Sequence, residues 1–305
     1  MPARFRRERV LIVGCGDVGL RAAQALPARV RLLALTTSAD RTKALRERGI
    51  TPLIGNLDAP HTLRRLAGLA TRVVHLAPPP GEGWNDPRTL ALTRALRRRS
   101  LPRSLVYGST SGVYGDCQGE LAMETRATHA DTPRARRRIN AENLIRFYGR
   151  ATGVRSSVLR IPGIYAPNRE GGTPQARLLK GTPVLQAQDD VYTNHIHADD
   201  LARACLAALW RGQPQRIYNV NDDTCLKMGD YFDLAADLYG LPRPPRVPRS
   251  TAKLQLPLML LSFMSESRRL DNTRMKRELR LNLRYPTVQA GLSSHAPDAC
   301  GRGSA

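Results

Sequence analysis

Val10-Leu11-Ile12-Val13-Gly14-Cys15-Gly16-Asp17-Val18-Gly19 opens the regular pattern of the chain: an aliphatic run ends in a G-x-G-x-x-G spacing, and apolar residues then recur at helical intervals over 18–28. A strand that meets a glycine loop and turns into a helix has a mechanical use for each glycine. Gly14 permits a tight turn, Gly16 lets backbone approach a pyrophosphate, and Gly19 lets the helix pack on the strand, with phosphates at the helix N-terminus. A plain strand-turn-helix corner is the competing reading, and the context outside the loop favours the dinucleotide site. Cys15 takes an x position and reads as a small loop residue.

Outward from the loop, short apolar runs alternate with helical stretches. Residues 10–14, 30–35, 51–55, 72–77, 104–109 and 155–160 read as strands; 18–28, 41–48, 60–69, 87–99 and 134–152 read as helices between them. Strands apolar along their whole length and joined by crossover helices predict an α/β fold with a doubly wound parallel sheet covered on both faces. After Pro162 the alternation breaks into loops, then a strand over 191–197, a helix over 199–210 and a strand near 216–220. The expected organisation is a dinucleotide-binding domain over 1–165 with returning segments near 190–222, a smaller interleaved substrate-binding region over 166–290, and a disordered tail over 291–305. Pro242 to Pro248 (PRPPRVP) reads as a stiff extended connector.

The 305 residues carry 48 Lys and Arg against 26 Asp and Glu, a formal net charge of +22 that invites a nucleic-acid reading. Five of the basic residues are lysines, Lys43, Lys180, Lys227, Lys253 and Lys276, so the surplus is arginine spread through the chain, as a GC-rich coding bias would give. The runs Arg97–Arg99 and Arg136–Arg138 fall in helical stretches without aromatic interleaving or helix-turn-helix wording, and read as solvated faces. Nucleic acid is therefore the least favoured partner. Five cysteines without a CxxC pair or zinc-ligand spacing predict a reduced, cytoplasmic protein without a metal site. No segment reaches the ~20 apolar residues of a membrane span, and no export signal is read at the start.

Cofactor choice turns on the end of the second strand, where an NAD site carries an acid for the ribose 2′-OH. Here stand Thr36, Thr37 and Ser38, followed by Arg41, a set that suits a 2′-phosphate; Asp40 comes too late. NADP is favoured over NAD.

Several ordered segments resemble the extended and atypical short-chain dehydrogenase/reductases, the superfamily of NAD-dependent epimerases and dehydratases, over almost the whole chain. The loop Gly14-Cys15-Gly16-Asp17-Val18-Gly19 is similar to its cofactor loop; Gly55-Asn56-Leu57-Asp58 to the GDLxD segment beside the adenine; His75-Leu76-Ala77 to the strand end flanking the cofactor. Residues 109–115 (STSGVYG) resemble SSxxVYG, 159–167 (LRIPGIYAP) resemble LRxxxVYGP, and 195–202 (HIHADDLA) resemble HVDDxA. PGIYAP, NHIHADD and MSESRRLDN are similar to the wording of a YeeZ-like atypical subgroup. The resemblance implies a Rossmann domain, cofactor contacts from Asn56, Leu57, Leu76 and Ala77 besides the loop and Thr36, Thr37, Ser38 and Arg41, a small-molecule substrate, and a homodimer.

One departure outweighs these matches. The superfamily uses a Tyr and a Lys four residues later, the Tyr as general acid/base and the Lys lowering its pKa from about 10. Registering the helix on Ala141-Glu142 puts Arg134 and Arg138 at those positions, and no Tyr in the chain has Lys four residues on. A guanidinium stays protonated and cannot cycle a proton. Thr110, at the place of the family's substrate-binding Ser/Thr, and Tyr114, four residues later, are the candidate catalytic groups. Arg134, Arg138, Tyr165 and His195 are candidates for holding substrate; His195 and His197 are expected on opposite strand faces, so that only one enters the pocket. The reading is an NAD(P)-binding oxidoreductase or sugar-nucleotide epimerase-like enzyme on a small polar substrate, the alternative a non-catalytic NADP(H)-sensing binding protein.

Overall fold

The computed structural model describes residues 7–294. Its centre is a seven-stranded sheet made of β1 (Arg9–Val13), β2 (Arg31–Thr36), β3 (Ile50–Ile54), β4 (Arg72–His75), β5 (Ser104–Thr110), β6 (Arg155–Ile161) and β7 (Arg216–Asn219). All neighbours are parallel, in the order β7-β6-β5-β4-β1-β2-β3. The chain winds outward from β1 in both directions, so the order reverses between β1 and β4, where such folds leave a crevice at the strands' carboxyl ends.

Both sheet faces are dry because successive side chains point to opposite sides. Val10 and Ile12 of β1 join one core with Leu201, Cys205 and Leu209 of a covering helix, while Leu11 and Val13 join the other with Leu92 and Ile145. The covering helices are α1 (Asp17–Gln24), α2 (Arg41–Glu47), α3 (Pro87–Leu96) and α4 (Pro133–Thr152), and, further along the chain, α6 (Ala198–Arg211); α5 (Gln175–Leu179) and α7 (Met228–Tyr239) belong to the second layer. α3 and α4 start alike: Pro at the first turn, and Asp86 or Thr132 accepting from the backbone N–H of Thr89 (3.1 Å) or Ala135 (3.2 Å). Residues 60–69, expected as an α-helix, form instead a 3₁₀ helix over Pro60–Leu66. Its buried residues Leu63 and Leu66 lie three apart, the repeat of that tighter helix.

A smaller apolar cluster, with Val184, Leu185, Val191, Tyr231, Phe232 and Ala235, packs over the carboxyl end of the sheet through Tyr165. Short ladders assemble it. Gly163–Tyr165 pairs in parallel with His195–His197, and Tyr192–Thr193 pairs antiparallel with Leu226–Lys227. The strand expected over 191–197 is thus split at Asn194, whose amide donates to the Arg268 carbonyl (2.9 Å) and accepts from the Leu270 N–H (2.9 Å). The Pro-rich connector is also part of this layer, since Arg246–Val247 pairs with Val184–Leu185. A last helix, Val288–Ser293, runs into the stretch expected as a disordered tail; residues 295–305 lie outside those described.

Candidate active site

The three glycines do different work. Gly14 has φ +87°, and a Cβ there would lie 2.3 Å from the Ala77 nitrogen, so only glycine fits. A Cβ on Gly19 would come within 3.1 Å of the Gly14 carbonyl and 3.2 Å of the Ile12 side chain, the close helix-strand approach. A Cβ on Gly16 would meet nothing within 4 Å. The second glycine therefore faces open space, and as N-cap of α1 it offers no side-chain cap to the helix's first N–H groups. An anion could fill that place.

Around the loop the expected cofactor residues converge at the strand ends. The N–H groups of Leu76 and Ala77 both donate to the Val13 carbonyl (2.7 and 3.1 Å). Asn56 accepts through its side chain from the Asp58 N–H (2.9 Å), and Leu57 is buried. Thr36 is buried, Thr37 exposed and Ser38 half-buried; Arg41 reaches back from α2 and donates to the Cys15 carbonyl (2.6 Å). Burial pushes the Cys15 thiol up. Asp17 and Val18 begin α1. Against the upward pull of partial burial, hydrogen bonds from Arg169 and Arg21 hold the Asp17 carboxyl below its ordinary value.

A cavity of about 540 Å³ opens between the sheet's carboxyl end and the second layer. Thr110, Arg134, Tyr165 and His195 line it; Tyr114 and Arg138 are not among its lining residues. Thr110 Oγ1 accepts from the Gly112 N–H (3.2 Å), which leaves the hydroxyl proton free to be donated. Arg134 is exposed. The Tyr165 hydroxyl donates to the Thr287 carbonyl (3.2 Å), and burial raises its pKa. His195 is buried, Nδ1 has no hydrogen-bond partner, and burial lowers its pKa to about 4, so the ring is neutral at neutral pH.

Tyr114 lies elsewhere. It is 1% exposed, its hydroxyl donates to Asn219 Oδ1 (2.7 Å), and the Arg160 guanidinium stacks on its ring at 4.6 Å. Burial raises its pKa further, so packing is the role its surroundings give it. Arg138 donates to the Gly108 carbonyl (2.7 Å) and the Tyr107 hydroxyl (3.1 Å), holding the end of β5 instead of facing the cavity. Arg137, expected on a solvated face, is buried and donates to the Gly83 carbonyl (2.7 Å). His195 and His197 do not point apart: residues two apart on a strand share a face, and both rings stand edge-on to Tyr165. They part company beyond it, His195 against Tyr231 at the cavity and His197 against Tyr285. His197 caps α6, accepting from the Asp199 N–H (3.2 Å), while Asp200 is buried and accepts from the Arg284 and Tyr285 N–H groups.

Sequence reasoning missed the second layer's share of the cavity, Arg169, Arg177, Tyr231, Phe232, Glu266 and Arg268. The segment MSESRRLDN contains Glu266 and Arg268 but gave no role to either, and the surplus of arginine did not single out Arg169 or Arg177. Missed too was the buried network below Thr110, where Ser109 donates to Glu142 (2.6 Å) and Arg160 pairs with Glu142 (2.8 Å). Among the described residues, no group of three or more His, Cys, Asp or Glu could hold a metal ion, and no helix is long and apolar enough to cross a membrane.

Comparison with known proteins gives this geometry relatives. The model of the NAD dependent epimerase/dehydratase family matches residues 10–221. A functionally unknown conserved protein from Silicibacter pomeroyi is similar in structure, with TM-score 0.80 and 30% identity over 96% of this chain and 99% of that one. UDP-glucose 4-epimerase from Thermotoga maritima, solved with UDP-glucose, has TM-score 0.77 and 18% identity over 93% and 96%. A UDP-glucuronic acid 4-epimerase from Bacillus cereus, in complex with NAD, has TM-score 0.73 and 17% identity over 93% and 96%. A search of curated protein sequences finds no match.

Proposed function

The chain belongs to the NAD dependent epimerase/dehydratase family, and we propose that it is an NADP(H)-binding oxidoreductase or epimerase-like enzyme that handles a small polar molecule without the usual Tyr–Lys pair. The observation that carries this reading is the unfilled space at Gly16, at the same carboxyl end of the sheet as the cavity at Thr110. Gly14, Gly16 and Gly19, with the uncapped first turn of α1, would hold the pyrophosphate. Arg41, beside Thr36 and Ser38 at the end of β2 with no carboxylate in the acid position, would meet a 2′-phosphate. When bound, the cofactor supplies hydride exchange.

The chain's own residues then hold substrate and polarise it. Thr110 donates its free hydroxyl proton in a hydrogen bond to a substrate oxygen, Arg134 offers a fixed cation, and neutral His195 offers Nδ1. None of these cations replaces the missing acid/base: Arg138 is committed to the Gly108 carbonyl and the Tyr107 hydroxyl, and Arg134 keeps its proton. That same observation favours, as a second reading, a non-catalytic protein that binds NADP(H) and reports its state to a partner. Nicotinamide fluorescence titration followed by a turnover screen on carbonyl and sugar-nucleotide substrates separates them. Turnover that falls about tenfold or more in Thr110→Ala supports the enzyme; NADPH binding without turnover on any substrate supports the sensor; no binding of either nucleotide contradicts both.

A further inference from the structure

Resting on the reading of the cavity as a substrate site, we propose that Arg177, stacked on Phe232, anchors an oxyanion of the bound small molecule, a phosphate monoester or a carboxylate. Arg177 enters the cavity from α5, in the second layer, whereas Thr110 enters from β5 of the sheet. Its guanidinium carbon lies 4.3 Å from the Phe232 ring centroid, and its Nε and Nη2 are buried with no hydrogen-bond partner. Burial pulls its pKa down, and the group set against that effect is the Tyr231 phenol, itself kept neutral by burial, and not a carboxylate. An arginine keeps its proton even so. The fold therefore holds a half-buried cation, two of its nitrogens closed off from solvent, without a carboxylate beside it, a costly arrangement unless something pairs with it. Stacking on Phe232 offsets part of the cost but leaves the N–H donors empty. An oxyanion meeting the guanidinium at its cavity-lining edge would supply the missing counter-charge.

The other arginines of the cavity are already engaged or solvated. Arg268 pairs with Glu266 (2.6 Å), Arg169 pairs with Asp17 (2.6 Å), and Arg134 is exposed. Beside Arg177 stands an aromatic wall: the His195 and Tyr231 rings lie 4.2 Å apart, and Tyr231 meets Phe232 edge-on at 5.6 Å. A ligand held at Arg177 by its anionic end would lay its body along this wall, toward the sheet.

The test uses methyl phosphate and benzoate as separate probes, at constant ionic strength, on full-length protein carrying ¹⁵N-labelled arginine. One probe should shift the Arg177 Nε–H resonance saturably in the wild type, the resonance being assigned by its loss in Arg177→Gln. The same probe should bind about tenfold or more weakly to Arg177→Gln, while Arg98→Gln, which removes an exposed charge, keeps wild-type affinity. A response to methyl phosphate assigns a phosphate ligand; a response to benzoate assigns a carboxylate. If neither probe moves that resonance, or if Arg177→Gln binds as tightly as wild type, the proposal is overturned. NADPH titration of the wild type is scored separately, so failure of the anion site and failure of the cofactor reading are distinct results.

Discussion

Gly14 and Gly16 stand two residues apart and should respond oppositely to the same mutation. Gly14→Ala forces a Cβ against Ala77 from a left-handed backbone, and should cost on the order of 3 kcal/mol in urea denaturation. Gly16 has φ −83° and an empty surrounding, so Gly16→Ala should leave the unfolding midpoint nearly unchanged while NADPH affinity falls about tenfold or more. Both mutants destabilised alike would mean that Gly16 is a packing residue. Tyr114→Phe makes a third residue-scale case. It strands the buried Asn219 carbonyl, and should lower stability by about 1–3 kcal/mol without changing NADPH binding. Thr110, with its proton unclaimed, is the hydroxyl to which substrate turnover should respond.

At the scale of elements, β5, α4 and β6 are tied by one buried pair. Arg160 on β6 and Glu142 on α4 have side chains each 4% exposed, and Ser109 on β5 completes the link. Glu142→Ala would leave Arg160 buried and charged without its carboxylate, at a cost of about 3–5 kcal/mol in chemical denaturation; a loss below 1 kcal/mol would show that water reaches the pair. The alternation of apolar runs located the sheet, because a strand buried on both faces must be apolar throughout, as β1 is. It also located the glycine loop and Thr110, which lie at strand ends. It misplaced Tyr114 and Arg138, since both sit beside the pocket in the chain and only side-chain direction takes them away from it. Arg177 could not be found at all: what distinguishes it is the absence of a partner, a property of the folded surroundings and not of the α5 sequence.

For the molecule as a whole, part of the arginine surplus ties distant segments of the fold together. Arg9, Arg72, Arg138, Arg211 and Arg274 each donate to a backbone carbonyl distant in sequence, on Leu69, Leu209, Gly108, Leu279 and Ile217. Five N–H donors per side chain suit arginine to closing such carbonyls. Titration of the buried groups gives a pH signature. Burial lowers His75 to about 3 and His195 to about 4, so the unfolded chain binds more protons below about pH 6.5, and stability falls as pH drops toward those values. Burial raises Asp222 to about 7, so the folded state holds the extra proton there, and this group adds stability as pH falls from about 7. Two histidines act against Asp222, with Asp190, which burial also raises, on the aspartate's side. The unfolding midpoint should therefore decline from pH 7 to 5, and more steeply in Asp222→Asn; a shallower decline in that variant would contradict the assignment. The central claim, a dinucleotide cradle that takes NADP(H), is tested most directly by titrating NADPH and NADH into the protein and following nicotinamide fluorescence. Saturable NADPH binding, tighter than NADH and weakened toward it by Arg41→Ala, is the predicted result, and binding of neither nucleotide would contradict the account.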